Sequence, residues 1–317
     1  MPILASLLAA VIPMLTYLLI IWRMDKYERE PFKNVFYHFL WGAFGAIIFG
    51  IIGNGMLSAP AKYLVNSTAL VFIQTTVFAP IVEEFSKGIF LLGTVSSKQF
   101  DDLTDGLVYG GAIGLGFGMT ENFLYYTVFG QSLTDWIILV VIRSGFTAVM
   151  HCMSTATFGA FLGIAKFSKP PFRFTLPFIG YFCAVFIHFF WNFSVSFEST
   201  YIMAYIGVIV VVILFFIVFS YSLHKEQKMI LNELAEEVHN NIIPVEHLKI
   251  LSSRLRTSKG WINESIRKEY IKSATKLAFR KFQVKHAGNK GASYLPEVDF
   301  YRSRIINLLA ASQPREI

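Results

Sequence analysis

Two adjacent carboxylates and an ammonium group lie inside one apolar stretch of the chain. Glu83, Glu84 and Lys87 occur in the sequence EEFSK, which interrupts an apolar segment over about residues 69–95. Placing one ionisable side chain in a membrane span costs roughly 2.5 to 3.5 kcal/mol, so such residues usually have a function. Lys87 follows Glu83 by four residues, and this spacing predicts that the two pair on one helical face and leave Glu84 free. The structural alternative is a self-neutralising ion pair with no further role.

Three further apolar stretches carry polar side chains of the kinds that catalyse hydrolysis. They contain Glu121, His151, and His188 with Asn192, a pair whose four-residue spacing places both on one helical face. Glu84, Glu121 and the two histidines each lie about 14 to 17 residues into their segments, or roughly 21 to 26 Å along a helix. This depth is near the middle of a hydrocarbon core about 30 Å thick. The sequence therefore predicts that four helices converge on a polar cavity inside the membrane.

The chemistry that these side chains suit is hydrolysis. Carboxylates and imidazoles in such a cavity can take a proton from water and stabilise an oxyanion. The sequence contains neither the HExxH motif of zinc peptidases nor the GxSxG motif of serine hydrolases. Two alternatives stay open on these residues. One is a proton-coupled transporter, which also places Glu and His at mid-membrane, and the other is a scaffold without activity.

The composition is that of a polytopic membrane protein. Of the 317 residues, 54% are hydrophobic, and the apolar runs are too long for the helices of a soluble core. We predict an all-α membrane helix bundle of about seven spans with a small helical tail. The predicted spans are about 2–22, 35–57, 69–95, 104–130, 136–165, 174–197 and 201–223. The first is expected to be a retained span, because no basic segment precedes it.

One predicted span carries a stripe of glycines. Gly110, Gly114 and Gly118 occur at every fourth position and lead directly to Glu121. Such a stripe lets two membrane helices approach closely. We therefore expect Glu121 to lie where two helices are in tight contact.

Charge divides the chain into two parts at about residue 223. After His224 there are 17 Lys and Arg against 10 acids, whereas the preceding part has 11 of each. We predict a membrane domain over 1–223 and a basic, mainly helical tail over 224–317. The tail carries no nucleic-acid-binding motif, and its charge suits anionic lipid headgroups or a cytosolic protein partner. Basic residues after the first, third, fifth and seventh spans predict an extracytoplasmic N-terminus and a cytosolic tail.

Several short motifs resemble those of PrsW-type intramembrane proteases, which are related to the CAAX-prenyl endopeptidases. The motifs are DKYEREP (Asp25 to Pro31), EEFSK, DGLVYG followed by GFGMTENFLY, the histidine of the fifth span, and HFFWN. They cover about residues 17–195 and do not extend to the tail. The resemblance implies a membrane-embedded endopeptidase of the bacterial cell membrane. It also implies a single-span membrane protein, such as an anti-sigma factor, as the substrate.

The resemblance further implies roles for individual residues. Glu83 or Glu84 would be the general base, and His188 with Asn192 would bind the oxyanion. The sequence departs from the CAAX relatives at one position, because it has Glu121 where they have the histidine of an FxxxH motif. The role of this glutamate stays open between base, proton shuttle and metal ligand.

Two mechanisms stay open for the catalytic centre. If it held zinc, the candidate ligands would be Glu84, Glu121, His151 and His188, whose N and O donors suit this metal. A glutamate can instead take a proton from water directly, and His151 would then supply the imidazole that the FxxxH motif lacks. We prefer the metal-free mechanism, because no ligand pair has the i, i+4 histidine spacing of zinc peptidases. Lys87 would also repel a divalent cation.

Overall fold

The structure, a computed structural model, describes residues 2–312 of the chain. The regular elements of these residues are all helices, joined by short loops. Seven long helices come first: α1 (Ile3–Met24), α2 (Phe32–Ala61), α3 (Ser67–Thr94), α4 (Leu103–Phe129), α5 (Leu133–Lys166), α6 (Phe172–Ser194) and α7 (Tyr201–His239). They are followed by α8 (Val245–Leu251), α9 (Glu264–His286) and α10 (Leu295–Ser312). The predicted all-α helix bundle is confirmed.

Six helices of the described chain are long and apolar enough to cross a membrane, namely α1, α2, α3, α5, α6 and α7. The remaining predicted span corresponds to α4, which is 27 residues long but is not among these six. All of its residues from Thr104 to Gly118 are buried by other parts of the protein. Because this stretch faces protein rather than lipid, it can carry the glycines and polar groups that lower its hydropathy.

The glycine stripe of α4 packs directly on the backbone of α5. A side-chain carbon added to Gly110 would lie 2.4 Å from the carbonyl oxygen of Thr155. One added to Gly114 would lie 2.2 Å from the carbonyl oxygen of His151. Only glycine permits so close an approach, and the predicted tight packing is therefore confirmed. It brings Glu121, which follows the stripe, beside the helix that carries His151.

Three of the membrane helices contain a π-helical segment. The segments are Trp41–Ala46 in α2, Gln74–Phe78 in α3 and Arg143–Thr147 in α5. A π segment widens one turn of a helix, so the residues after it face a different direction from the one that regular helical spacing predicts. The segment in α3 comes shortly before Glu83, and the segment in α5 comes shortly before His151.

The chain divides into two compact units. The first consists of Met1–Asp25 and Arg29–Phe219, and the second of Lys26–Glu28 and Ser220–Ile317. The division falls within α7, which continues without a break past position 223, where the charge of the sequence changes. Apolar side chains of α7, α9 and α10 form the core of the second unit and include Leu234, Leu277 and Ile305.

Three residues of the loop between α1 and α2 belong to the second unit. Arg256 donates a hydrogen bond of 3.1 Å to the backbone carbonyl of Tyr27, and its guanidinium lies 4.6 Å from the centre of the Tyr27 ring. Glu28 forms an ion pair with Lys276 of α9. Sequence reasoning did not predict these contacts, because the two segments are more than two hundred residues apart.

Candidate active site

Glu84 lies at the centre of a fully buried polar cluster. The Lys87 ammonium donates to Glu84 Oε1 at 2.7 Å, and His188 Nδ1 hydrogen-bonds with the same oxygen at 3.0 Å. Ser154 donates to Oε1 at 3.1 Å, and Thr155 donates to Oε2 at 3.0 Å. The donors come from α3, α5 and α6, so this carboxylate joins three helices.

The predicted pairing of Lys87 with Glu83 was wrong. Lys87 pairs with Glu84, three residues before it, and not with Glu83, four residues before it. Both spacings bring side chains together on a helix, and the surrounding helices decide between them. Glu84, expected to be free, is 1% exposed and bonded on both oxygens, whereas Glu83 is the glutamate without a cation.

Glu121 is the centre of a second polar cluster, between α4 and α5. Arg143 lies 2.8 Å from Glu121 Oε2, and His151 Nε2 hydrogen-bonds with the same oxygen at 2.7 Å. The side chain of Glu121 is 23% exposed, far more than that of Glu84. Both of its contacts use Oε2, and within the described residues Oε1 has no hydrogen-bond partner.

The site thus contains two groups of the same composition, each made of a cation, a carboxylate and a histidine. We name them the Lys87 triad (Lys87, Glu84, His188) and the Arg143 triad (Arg143, Glu121, His151). The two imidazole rings are perpendicular, with centres 4.7 Å apart. Lys87 Nζ also lies 3.0 Å from His151 Nδ1, so the two triads are in contact.

Glu83 is the third carboxylate of the site and has no cation of its own. In the described part of the chain, no Lys or Arg nitrogen lies within salt-bridge distance of it. Its Oε2 is buried without a hydrogen-bond partner, and the nearest basic atom is His188 Nε2 at 3.8 Å. Three carboxylates therefore face two permanent cations. A buried carboxylate in this position calls for a positive charge from a proton or a metal ion.

The residues around Glu83 fit a divalent metal ion. Glu83, His151 and His188 each offer one ligand atom, and these atoms lie within 4.8 Å of one another. Two imidazoles and one carboxylate make up a known ligand set of catalytic zinc. One nitrogen of each histidine is held by a carboxylate, as is usual for histidines that bind metals. The set shares both histidines with the predicted one, but Glu83 takes the place of Glu84 and Glu121, which are each bonded to a cation.

Asn192, the predicted partner of His188, lies outside the two triads. Its amide donates a hydrogen bond of 2.9 Å to the backbone carbonyl of Thr75, in the π segment of α3. This bond ties α6 to α3 one helical turn away from His188. A role in binding an oxyanion would use the second N–H of this amide, since the first donates to Thr75.

Sequence reasoning missed three residues that contact the site carboxylates. Ser154 and Thr155 bond to Glu84, and they follow His151 by three and four residues, a spacing that places all three on one face of a helix. The sequence alone therefore indicates a polar face on this helix. Arg143 has no such signal, because its partner Glu121 lies on another helix, and no local spacing joins the two.

Comparison with known proteins gives a consistent result. The sequence model of the PrsW family of intramembrane metalloproteases matches residues 30–220. The chain is 29% identical over 161 residues to Protease PrsW of Clostridioides difficile (strain 630), covering 50% of this chain and 66% of that protein. It is 28% identical over 169 residues to Protease PrsW of Geobacillus kaustophilus (strain HTA426), covering 53% and 70%. It is 24% identical over 169 residues to Protease PrsW of Bacillus subtilis (strain 168), covering 53% and 72%.

No solved structure matches the chain. The matched region contains α2 to α6 and therefore every residue of the two triads, and it ends where the second compact unit begins. The relatives are bacterial, and the apolar helices make the chain an integral membrane protein. The chain belongs to the PrsW family of intramembrane metalloproteases, which are membrane endopeptidases.

Proposed function

We propose that this chain hydrolyses a peptide bond in or near the span of a membrane protein, with Glu83, His151 and His188 as its reactive centre. The observation that carries the proposal is the position of Glu83, a carboxylate without a cation that lies beside two histidines. The other two carboxylates are each committed to a cation and a histidine. Family membership favours hydrolysis over the transporter and scaffold alternatives.

We infer that Glu83, His151 and His188 hold a divalent metal ion, with zinc as the first candidate. A metal ion bound there would acidify a water molecule and polarise the scissile carbonyl. Glu84 and Glu121 each hold one nitrogen of a histidine and so fix the direction of its ring. Lys87 is neutralised by Glu84 at 2.7 Å, which weakens the sequence-based argument that its charge would repel the metal.

Glu121 is the residue best suited to accept a proton from the attacking water. It is the most exposed of the three carboxylates, and its Oε1 has no protein donor to displace. A general base must reach the water directly, and Glu84, which is 1% exposed, does not. The base in this proposal is therefore Glu121, and not Glu83 or Glu84 as the resemblance implies.

The metal-free mechanism is the second candidate, and one observation favours it. Both ring nitrogens of His151 already have partners, Glu121 at 2.7 Å and Lys87 at 3.0 Å. In this mechanism Glu83 would take the proton from water. This is the metal-free mechanism that the sequence analysis prefers, in which a glutamate is the base. The family description, intramembrane metalloprotease, and the grouping of Glu83 with the two histidines support the metal mechanism instead.

The experiment combines metal analysis with proteolysis of candidate single-span substrates by the purified protein in lipid nanodiscs. We expect about one zinc per chain, cleavage that is lost on prolonged chelation, and recovery when zinc is added back. Glu83→Gln, His151→Ala and His188→Ala should each lose both the metal and the cleavage. Full activity after chelation, with far less than one metal ion per chain, would favour the metal-free mechanism.

We further propose the substrate class and the orientation. The family acts on membrane proteins, and the resemblance implies a single-span substrate of the anti-sigma-factor kind. We propose a protease domain over 1–223 and a cytosolic tail over 224–317. The basic residues after the first, third, fifth and seventh predicted spans support this orientation. A reporter at the C-terminus should be cytosolic, and one inserted at Asn66 should be extracytoplasmic.

For the tail we propose binding to anionic lipid, with a cytosolic protein as the alternative partner. The 17 basic residues after His224 supply the charge for either. The full-length protein in nanodiscs with and without phosphatidylserine should differ in protease sensitivity of the tail. Equal sensitivity in both would point to the protein partner.

A further inference from the structure

Arg143 is a charged residue of α5 to which nothing above gives a catalytic role. It lies in the π segment Arg143–Thr147, and its side chain is 10% exposed. An arginine in the apolar part of a membrane helix is expensive, so its retention there calls for a partner and a purpose.

The guanidinium of Arg143 is held by three consecutive contacts with α4. Its Nη2 lies 2.8 Å from Glu121 Oε2, and its Nε donates to Asn122 Oδ1 at 3.1 Å. Its central carbon lies 3.6 Å from the centre of the Tyr125 ring. One hydrogen bond to Asn122, one ion-pair contact with Glu121 and one stacked face on Tyr125 fix the plane of the group, which the point charge of a lysine could not reproduce.

This arrangement acts on the reactive centre through Glu121. The Oε2 atom that faces Arg143 is the same atom that bonds to His151 Nε2 at 2.7 Å. An oxygen shared between a fixed guanidinium and an imidazole cannot turn toward Glu83, so Glu121 stays behind His151. Without Arg143, the carboxylate would be free to rotate and to compete with Glu83 for a metal ion.

We infer that Arg143 is a positioning residue: it fixes Glu121 against His151 and so keeps Glu83 as the carboxylate of the metal centre. The inference rests on the proposed function. Its rival is a purely structural role, in which Arg143 only ties α4 to α5.

The chain offers a matched control for that rival. Ser144, the next residue in the same π segment, hydrogen-bonds with Tyr126 of α4 at 2.8 Å. This bond joins the same two helices and does not touch Glu121. Ser144→Ala therefore removes a tie between α4 and α5 but leaves the Arg143 triad intact.

The experiment titrates Zn²⁺ into the metal-depleted full-length protein in nanodiscs and measures kcat and KM in parallel. The variants are Arg143→Gln, Arg143→Lys, Ser144→Ala, Glu121→Gln and the double variant Arg143→Gln/Glu121→Gln. We expect Arg143→Gln to weaken Zn²⁺ binding by roughly 10- to 100-fold, the usual effect of losing an outer-shell partner. It should lower kcat more than it raises KM, Arg143→Lys should recover part of both losses, and Ser144→Ala should change neither.

The double variant separates the inference from the proposed function. If Arg143 acts through Glu121, its loss adds little once Glu121 is already glutamine, and the two effects are not additive. Additive effects, or equal losses in Arg143→Gln and Ser144→Ala, would overturn the positioning role. If the wild-type protein binds no Zn²⁺, the proposed metal centre is wrong and the inference falls with it, whereas additivity in a protein that does bind Zn²⁺ overturns the inference alone. Should Arg143→Gln fail to fold, Arg143→Lys in the two Glu121 backgrounds supplies the same comparison.

Discussion

The two triads of the candidate site have the same composition and different surroundings. In the Lys87 triad every side chain is at most 2% exposed, whereas in the Arg143 triad Glu121 is 23% exposed. Glu84 is bonded to groups on three helices and has both oxygens occupied. Glu121 has both of its contacts with α5, and they occupy one oxygen. A carboxylate with all its oxygens satisfied anchors a structure, while one with an open oxygen can take part in a reaction.

Between the triads lies Glu83, which has neither arrangement. Its side chain is 14% exposed, between Glu84 and Glu121, and its buried Oε2 lacks the cation that would neutralise it. Burying a charge without a partner is unfavourable, so a protein that keeps one generally uses it. The comparison therefore assigns different tasks to three carboxylates of the same chemical type.

The largest effect is expected from breaking the Lys87 triad. Lys87→Ala leaves Glu84 as a buried carboxylate without its cation, which typically costs about 3 to 5 kcal/mol of folding stability. The thermal unfolding temperature of the protein in detergent should fall sharply. Arg143→Ala should lower it less, because Glu121 is partly exposed and can be hydrated. Equal losses of unfolding temperature in the two variants would show that the Lys87 triad and the Arg143 triad do not differ in their contribution to stability.

A large effect on activity, without loss of stability, is expected from Glu83. Glu83→Gln removes a charge that has no cation from the protein, so the unfolding temperature of the metal-depleted protein should stay the same or rise. Cleavage should fall by roughly a hundredfold or more, which corresponds to about 3 kcal/mol of transition-state stabilisation. Glu84→Gln is the matched control and should lose stability, because it unbalances Lys87. Wild-type cleavage by Glu83→Gln would show that the reactive centre lies elsewhere.

A smaller effect is expected from removing a neutral hydrogen-bond donor to Glu84. Thr155→Val deletes the hydrogen bond to Glu84 Oε2 at 3.0 Å with little change in shape. Hydrogen bonds to charged groups contribute about 1.5 to 3 kcal/mol, so the unfolding temperature should fall moderately. Thr157→Val is the control on the same helix, since Thr157 donates only to the backbone carbonyl of Met153. If both variants have the same unfolding temperature, the Thr155 hydrogen bond to Glu84 does not contribute to stability.

The smallest effect is expected from a buried carboxyl in the loop between α1 and α2. Burial, and next the charge of Asp101, raise the pKa of Glu30 to about 8, although the hydrogen bond from Tyr109 lowers it. The Tyr109 hydroxyl donates to Glu30 Oε2 at 2.6 Å. The partner of Glu30 is therefore a neutral donor, whereas the carboxylate of each triad has a cation.

Because the folded pKa of Glu30 lies above its ordinary value of 4.5, the stability it contributes is present at low pH. That stability is lost as the pH rises through about 8. The unfolding temperature should therefore fall by a few degrees between about pH 6 and about pH 9. Glu30→Gln should flatten this dependence. A slope that is unchanged in the variant would assign the titration to another group.

The amino-acid sequence by itself determined the class of the protein and the residue types of its site. The length of the apolar runs fixes membrane helices, because a helix of about 20 apolar residues matches the bilayer. Gly110 and Gly114 fixed the close packing of α4, since only the absence of a side chain permits it. The charge change near His224 indicated a separate tail. All of these are local properties, and local properties can be read from a single segment.

Only the tertiary structure decided which charges meet. Helical spacing allows Lys87 to reach Glu83 or Glu84, and the Ser154 and Thr155 hydroxyls of a neighbouring helix favour Glu84. The pairing of Arg143 with Glu121 joins two helices that have no fixed register in the sequence. The π segments of α3 and α5 turn the residues after them away from the directions that 3.6-residue periodicity predicts. Electrostatic partners depend on distances between helices, and those distances exist only once the helices have packed.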